Sequence, residues 1–402
     1  RDKLKKNHQV VAIIGDGSLT GGMAYEGLNN LGYHRTQLTV ILNDNSYSIS
    51  KSVGALSKYL TRITTNPTYN KLRKEIWNIS NNLPVLSNQV TSFLKKAEGT
   101  VKSYLTPGIL FEELGLRYIG PIDGHDLDNM IKVLNAVKEM NTPVLLHVFT
   151  NKSKSFNSKK HDAVKSYSIS PSTKDTTNKI QYSHVFGDAL CKLAPKYSFH
   201  CITAAMEIGT GMKNFIEDYN DRYIDVGIAE EHAITYAAGL SKAGILPIVP
   251  IYSTFMQRGY DQIIHDIALQ NIPAIFCMDR AGLVGNDGPT HHGVFDIAFM
   301  RSIPNIIVTA PKDGNELYNL LYTALNSNKI FSIRYPKERT LFNNKHKPSL
   351  IQLGQWEVLK NGKNICILTF GSMIDVCMKA SNLFFENYNS KITVVNCRFI
   401  KP

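Results

Sequence analysis

The chain has 402 residues, 43% of them hydrophobic and 19% charged, an ordinary balance for a globular protein with room for two or three domains. No stretch approaches the apolar run that a membrane span needs, so no membrane partner is expected. The formal net charge of +12 raises nucleic acid as a partner, but the lysines are scattered among Asn and Ser rather than clustered with aromatic residues. A solvated basic surface, which also suits a phosphorylated substrate, is the better reading, and no nucleic-acid role is expected.

Residues 1–8 are charged, and within ten residues the chain is already in a buried-type strand with no initiating Met and no signal or transit pattern. A cut within a longer protein is expected there. The β-branched run Val10-Val11-Ala12-Ile13-Ile14 ends in Gly15-Asp16-Gly17-Ser18 and passes into a helical pattern. That reads as a buried strand feeding a tight turn that opens onto a helix N-terminus. Free backbone N–H groups and the positive end of a helix favour a phosphate, and Asp16 cannot face that phosphate without a cation between them. A second apolar strand, 38–42, leads to Asn43-Asp44-Asn45. Gly17 and Asn45 are one helical crossover apart, so Asp16 and Asn45 would emerge from adjacent parallel strands at the same sheet edge. Gly-Asp-Gly alone is a common turn; the pairing makes it a candidate for a metal-diphosphate.

Residues 46–54 are polar, and 56–101 carry apolar residues at helical spacing (Leu72, Ile76, Ile79 and Leu83; Val90, Phe93 and Leu94), interrupted by Pro67 and Pro84. Helices joined by loops are expected. The run 111–126 leads into a helix at 127–140 and a strand at 143–149, completing a β/α domain over 1–150. In 151–181 Ser, Lys, Thr and Asn dominate, a linker signature. A second β/α series fills 182–352, with strands at 201–205, 223–228, 248–252, 274–278, 306–309 and 332–335 and helices at 231–243 and 259–269. Tandem doubly wound parallel-sheet domains result. Residues 353–402 begin a third α/β unit, with strands at 365–370 and 392–396 around a helix at 374–385. One βαβ unit cannot bury its own faces, so this end is also expected to be a cut. Cys191, Cys201, Cys277, Cys366, Cys377 and Cys397 show no CxxC spacing and lie mostly in or beside apolar runs. They read as reduced residues, not as a disulfide framework or a zinc site.

The second domain holds the other chemical cluster. Glu230 follows a strand and opens a helix; alone it is a favourable helix-start charge, and at a crevice it is a catalytic carboxylate. Tyr252 to Arg258 and Asp279-Arg280-Ala281-Gly282 follow further strands, and Asp287-Gly288-Pro289-Thr290-His291-His292-Gly293 forms a loop with adjacent histidines. Such a pair lacks helical metal spacing, and either histidine alone reads as a satisfied loop residue.

The motif Gly15-Asp16-Gly17 with Asn45, together with Glu230 and the runs 111–125, 225–232, 252–266 and 279–296, resembles the 1-deoxy-D-xylulose-5-phosphate synthase family of the transketolase superfamily. Gly-Asp-Gly with Asn marks the superfamily, whereas 111–125 and 279–291 separate this family from transketolase and pyruvate dehydrogenase. The resemblance covers nearly the whole chain. It implies thiamine diphosphate and Mg²⁺ as cofactors, bound between the first two domains, with pyruvate and glyceraldehyde 3-phosphate as substrates and a homodimer as the assembly. The product, 1-deoxy-D-xylulose 5-phosphate, would open non-mevalonate isoprenoid precursor synthesis, with loss of CO₂. By the same resemblance Asp16, Asn45 and the backbone oxygen of Tyr47 hold the metal, with Gly17 and Ser18 beside the diphosphate. Glu230 hydrogen-bonds the pyrimidine and serves as catalytic proton partner, and Phe255 packs on that ring. Arg280 and Lys337 bind the substrate phosphate; Tyr252, Arg258, Asp287 and the catalytic candidate His291 line the pocket.

Three departures from the family pattern stand out. Lys337 replaces an arginine, keeping the charge and losing the bidentate fork. Lys152-Ser153-Lys154-Ser155-Phe156 replaces a glycine-rich loop, with Phe156 at the cofactor-binding tyrosine, and Tyr167 stands where a histidine is usual. The family's N-terminal segment and most of its third domain are expected to be absent. Alternative readings are another thiamine-diphosphate enzyme of the superfamily, or a non-catalytic cofactor-binding relative or fragment. Bacterial cytoplasm and a plastid-type organelle are both open as locations.

Overall fold

The computed structural model describes residues 1–45, 53–65, 108–151 and 178–402. It forms two compact units, Arg1–Pro171 and Ser172–Pro402. Among the described residues no helix is long and apolar enough to cross a membrane.

The first unit contains β1 (Val11–Gly15), α1 (Asp16–Leu19), α2 (Gly22–His34), β2 (Thr39–Asp44), α3 (Ala55–Thr65), α4 (Ile109–Glu113), β3 (Arg117–Asp123), α5 (Leu127–Lys138) and β4 (Val144–Phe149). The sheet is parallel with order β1-β2-β4-β3. Central β4 is buried along 144–148 because both of its faces are covered. Leu19, Leu28, Leu42, Phe111 and Leu145 form the core on one face. On the other, Val133 and Val137 of α5 pack on Ile122, Leu146 and Val148. The Asp126 carboxylate caps α5, accepting from the Asn129 amide at 3.1 Å. Helix α2 meets the end of α4 at Gly32, where a Cβ would lie 1.6 Å from the Leu114 carbonyl oxygen.

One expectation needs correcting and another completing. Strand β1 is not buried: it is the sheet edge, with Val11 50% and Ile13 75% exposed. The reading of 111–126 as leading into a helix holds, at α5, but omits β3, whose register shifts between Ile119 and Ile122 around Gly120-Pro121. Proline is tolerated there because β3 is the other edge strand.

The second unit is built on a sheet ordered β16-β10-β11-β9-β8-β6-β7. In chain order its elements are β5 (Ile180–Gln181), α6 (Tyr182–Leu193), β6 (Phe199–Thr203), α7 (Lys213–Asp218), β7 (Tyr223–Asp225), α8 (Glu230–Lys242), β8 (Leu246–Tyr252), α9 (Ser253–Met256), α10 (Tyr260–Gln262), β9 (Ala274–Asp279), α11 (Asp296–Ser302), β10 (Ile306–Thr309), α12 (Gly314–Ser327) and β11 (Ile330–Arg334). There follow β12 (Arg339–Thr340), β13 (Glu357–Lys360), β14 (Cys366–Thr369), α13 (Met373–Tyr388), β15 (Thr393–Asn396) and β16 (Phe399–Lys401). Helices cover both faces of the large sheet. Along β9, Ile275 and Cys277 enter the core with α6 and α12, while Phe276 and Met278 enter the core with α8 and α11. This is the doubly wound arrangement that the strand periodicity predicts.

The last stretch does two things. Strands β13, β15 and β14 form a small sheet of their own, and β16 then pairs antiparallel with β10 at the edge of the large sheet. At the other end of the unit, β5 pairs with β12, so residues 180–181 of the expected linker belong to this body. Cys201, Cys277 and Cys397 are buried and unpaired, as the apolar context predicts, whereas Cys366 is exposed.

Candidate active site

The first unit brings Asp16 and Asn45, two of the expected metal ligands, to one end of its sheet. Gly15 pairs with Asn43 across β1 and β2, so Asp16 and Asn45 leave the same end of neighbouring strands. The Asn45 amide lies 3.5 Å from Asp16 Oδ1. Asp16 is 4% exposed, at the start of α1; Gly17 is buried and Ser18 exposed beside it. A carboxylate and an amide oxygen make an all-oxygen donor set, the chemistry that Mg²⁺ takes, and the glycine-lined start of α2 nearby has no side-chain cap. The residues present therefore fit the group. Among the described residues no cluster of three His, Cys, Asp or Glu offers another metal site. Tyr47, Phe156, Tyr167 and the 152–155 loop lie outside the described residues.

Sequence reasoning missed what stands behind this corner. The Asp44 carboxylate is 3.1 Å from His147 Nε2, and the Tyr118 hydroxyl is 2.7 Å from His147 Nδ1. A lone histidine inside the apolar run 144–149 was the available signal.

The second unit carries the remaining described candidates. Glu230 opens α8 after a turn whose Gly227 has φ +74 and in which the Asp225 carboxylate accepts from the Ala205 and Gly227 amides at 2.8 and 2.9 Å. Burial raises the Glu230 carboxyl above its usual range, against the pull of Arg258. Arg258 pairs closely with Glu230 Oε2 and reaches Glu231 at 3.2 Å. Its guanidinium is therefore a partner of the catalytic candidate as well as a residue of the expected pocket.

The phosphate-binding candidates sit at the ends of β8, β9 and β11. Arg280 stacks 3.8 Å over the Tyr252 ring, donates to the Gly209 carbonyl at 2.8 Å and pairs with Asp279 Oδ1 at 3.0 Å. Its Nε lies 3.5 Å from Asp287 Oδ2, and Lys337 pairs closely with the other oxygen of Asp287. One carboxylate thus sits between the two cations expected to receive a phosphate. Burial works against the Arg280 charge, and Asp279, Tyr252 and Asp287 together outweigh it and hold the guanidinium above its ordinary range. Arg280 adopts φ +61, a left-handed conformation uncommon for a side chain of this size, fixed by the Ala281 amide on the Tyr335 carbonyl at 3.0 Å. At the end of β11, three residues before Lys337, Arg334 pairs with buried Asp296 at 2.7 Å.

Aromatic contacts join the rest. Tyr252 stacks on Phe255 with centroids 5.6 Å apart, and His291 meets the edge of Phe255 at 5.2 Å. The His291 loop is closed by reciprocal bonds between Gly282 and Gly293 at 2.8 Å, and a Cβ on Gly293 would lie 2.4 Å from Ser253 Oγ. Asp279 Oδ2, Arg280 Nε, Ser253 Oγ and Tyr335 Oη are buried here without hydrogen bonds, each a cost of about 1–3 kcal/mol that functional sites carry. Asp279 was not singled out from the sequence. Burial pushes its carboxyl up to about 6, against Arg280.

Comparison with known proteins fits this arrangement. The family model described as 1-deoxy-D-xylulose-5-phosphate synthase matches residues 1–150, the transketolase pyrimidine binding domain matches 178–341, and the transketolase C-terminal domain matches 354–402. A 1-deoxy-D-xylulose-5-phosphate synthase of Syntrophus aciditrophicus is 46% identical over all of this chain and 63% of its own length. One of Halothermothrix orenii is 43% identical over all of this chain and 64% of its own length. The chain thus spans a little under two thirds of these relatives. The crystal structure of transketolase from Campylobacter jejuni is similar in fold alone, with TM-score 0.50 and 18% identity over 98% of this chain and 66% of that one. From its sequence relatives and its tandem α/β architecture, the chain belongs to the 1-deoxy-D-xylulose-5-phosphate synthase family of transketolase-type proteins.

Proposed function

We propose that this chain carries the machinery for condensing pyruvate with glyceraldehyde 3-phosphate to 1-deoxy-D-xylulose 5-phosphate and CO₂, using thiamine diphosphate and Mg²⁺. The observation that carries this reading is the gathering of Tyr252, Arg280, Asp287, His291 and Lys337 at the strand ends that also present Glu230. When bound, thiamine diphosphate supplies the electron sink that lets pyruvate lose CO₂ and its remaining carbons join the aldehyde.

Each residue then has a defined task. Asp16 and Asn45, with Tyr47, hold the metal against the diphosphate. Glu230, at the start of α8, is the hydrogen-bond partner offered to the pyrimidine ring, and its pairing with Arg258 keeps the buried carboxylate from standing alone. Phe255 packs on the same ring. Arg280 and Lys337 take the substrate phosphate in place of Asp287, and the Tyr252 face keeps the Arg280 guanidinium flat for it. His291, held against Phe255, handles a proton at the substrate's oxygen. A homodimer, and a bacterial cytoplasm or plastid-type organelle as the location, complete the proposal.

The test is CO₂ release from carboxyl-labelled pyruvate, with thiamine diphosphate and Mg²⁺, with and without glyceraldehyde 3-phosphate. Release that depends on the triose phosphate supports the synthase reaction. Turnover with a ketose phosphate donor instead points to another transketolase-type enzyme. No release with either makes this chain a non-catalytic member of the family.

A further inference from the structure

We propose that His147 is a positioning residue for the metal-diphosphate corner, acting through Asp44 on Asn45 and Asp16. The inference rests on the assignment of Asp16 and Asn45 made under the proposed function.

His147 lies in central strand β4, opposite Leu42 of β2, and is wholly buried. Its two ring nitrogens are both engaged, Nε2 with the Asp44 carboxylate and Nδ1 with the Tyr118 hydroxyl. A carboxylate only accepts, so Nε2 donates to Asp44, while Nδ1 and the Tyr118 phenol share the second hydrogen bond. The result is a polar line across three neighbouring strands, β3, β4 and β2, in an otherwise apolar core. Tyr118 also stacks on Phe111, with centroids 6.0 Å apart. Gly120 presses on the same histidine, since a Cβ there would lie 2.4 Å from the His147 carbonyl oxygen.

Stability alone does not explain such a line, because buried polar groups often gain nothing over well-packed apolar ones. Its geometry does. Asp44 is the last residue of β2, and its neighbour Asn45 reaches Asp16. The same strand end is tied to β4 twice more, by the Thr150 amide on the Asp44 carbonyl at 2.8 Å and by the Thr150 hydroxyl on Asn43 Oδ1 at 2.9 Å. With main chain and side chain of Asp44 both fixed, the direction in which Asn45 leaves the strand is fixed as well. Partners standing behind metal ligands typically contribute about 10–100-fold in metal affinity by such restraint.

The test uses the whole chain with His147→Leu, His147→Gln and Tyr118→Phe, and two readouts. The first is calorimetric titration of thiamine diphosphate in Mg²⁺. His147→Leu is expected to weaken binding about tenfold or more, whereas His147→Gln, whose amide can donate to Asp44 in place of Nε2, stays within about threefold. The second is hydrogen exchange at the Asn45 amide without cofactor, expected to quicken about tenfold in His147→Leu and less in Tyr118→Phe, with the Leu145 amide unchanged. Unaltered Asn45 exchange in His147→Leu overturns the proposal, as does equal cofactor affinity in a wild-type chain that binds it. Quickened exchange in a chain that binds no thiamine diphosphate supports the positioning role and refutes the cofactor assignment instead. Tyr118→Phe removes one oxygen, so its exchange result decides the matter if the His147 variants do not fold.

Discussion

Asp279→Asn tests the electrostatic account of the second unit directly. The Asp279 carboxyl is 1% exposed, one of its oxygens has no partner, and burial raises it from 3.8 to about 6. Between those two values the folded chain holds a proton that the unfolded chain has released. Stability must therefore fall as pH rises through that window, and the loss is complete above the folded value. A shift of about two units corresponds to about 3 kcal/mol. Asn does not titrate, and at pH 4 the unfolded carboxyl is already partly protonated, so the wild type should gain about 2.4 kcal/mol on the variant between pH 7 and pH 4. Glu230, Asp225 and Glu316 are also raised by burial, but they are common to both proteins and cancel in the difference. The difference also removes the fixed cost of leaving Arg280 without its nearest carboxylate, which shifts the two curves apart without changing their slopes. The assay is urea unfolding from pH 4 to 7.5, followed by Trp356 in a Trp77→Phe background. Curves that stay parallel within about 0.5 kcal/mol would refute the claim that Asp279 is a high-energy buried carboxylate.

Two further outcomes follow from contacts around Arg280. A Cβ on Gly209 would sit 1.6 Å from the Tyr252 hydroxyl oxygen, so Gly209→Ala must swing that ring away from Arg280. It should cost about 1–3 kcal/mol of stability and raise KM for the triose phosphate by about tenfold, and an unchanged KM in steady-state kinetics would show that the Tyr252 shelf does not orient the cation. Lys337→Arg restores a bidentate fork beside Asp287 and should lower KM for the triose phosphate with little change in kcat; a KM equal to wild type counts against a phosphate contact at this position.

Most strands were legible because their burial is two-sided and their apolar runs continuous, as in β4, β8 and β9. The exceptions have physical causes. Strand β1 has the same kind of sequence but sits at an edge, and composition cannot say which side of a β-branched run has a neighbour. Strand β3 was not singled out because Gly120-Pro121 interrupts its apolar run; the pair forms an irregularity on an edge strand, seated on His147. The return of β16 to the large sheet was illegible because a three-residue strand has no periodicity; its partner β10 is chosen by tertiary packing.

The site divides along the same line. Residues at strand ends announce themselves, since a Gly, Asp or Arg that follows an apolar run is placed by topology at the ligand-binding edge. What sequence cannot give is the pairing of long side chains, whose reach exceeds the spacing of the backbone that carries them. Arg258 could be placed near the pocket but not on Glu230, and Asp287 could be placed in the loop but not between Arg280 and Lys337. These pairings change the chemistry expected of the same residues. Under the proposed function, a substrate phosphate approaching Arg280 and Lys337 would meet cations already paired with Asp287, so its affinity would be a difference between two anions rather than the attraction of bare charge. The choice of lysine at 337 then matters in both states. Lysine meets both Asp287 and the phosphate as a point charge, whereas an arginine would gain a bidentate fork on the phosphate, which is why Lys337→Arg should favour the substrate.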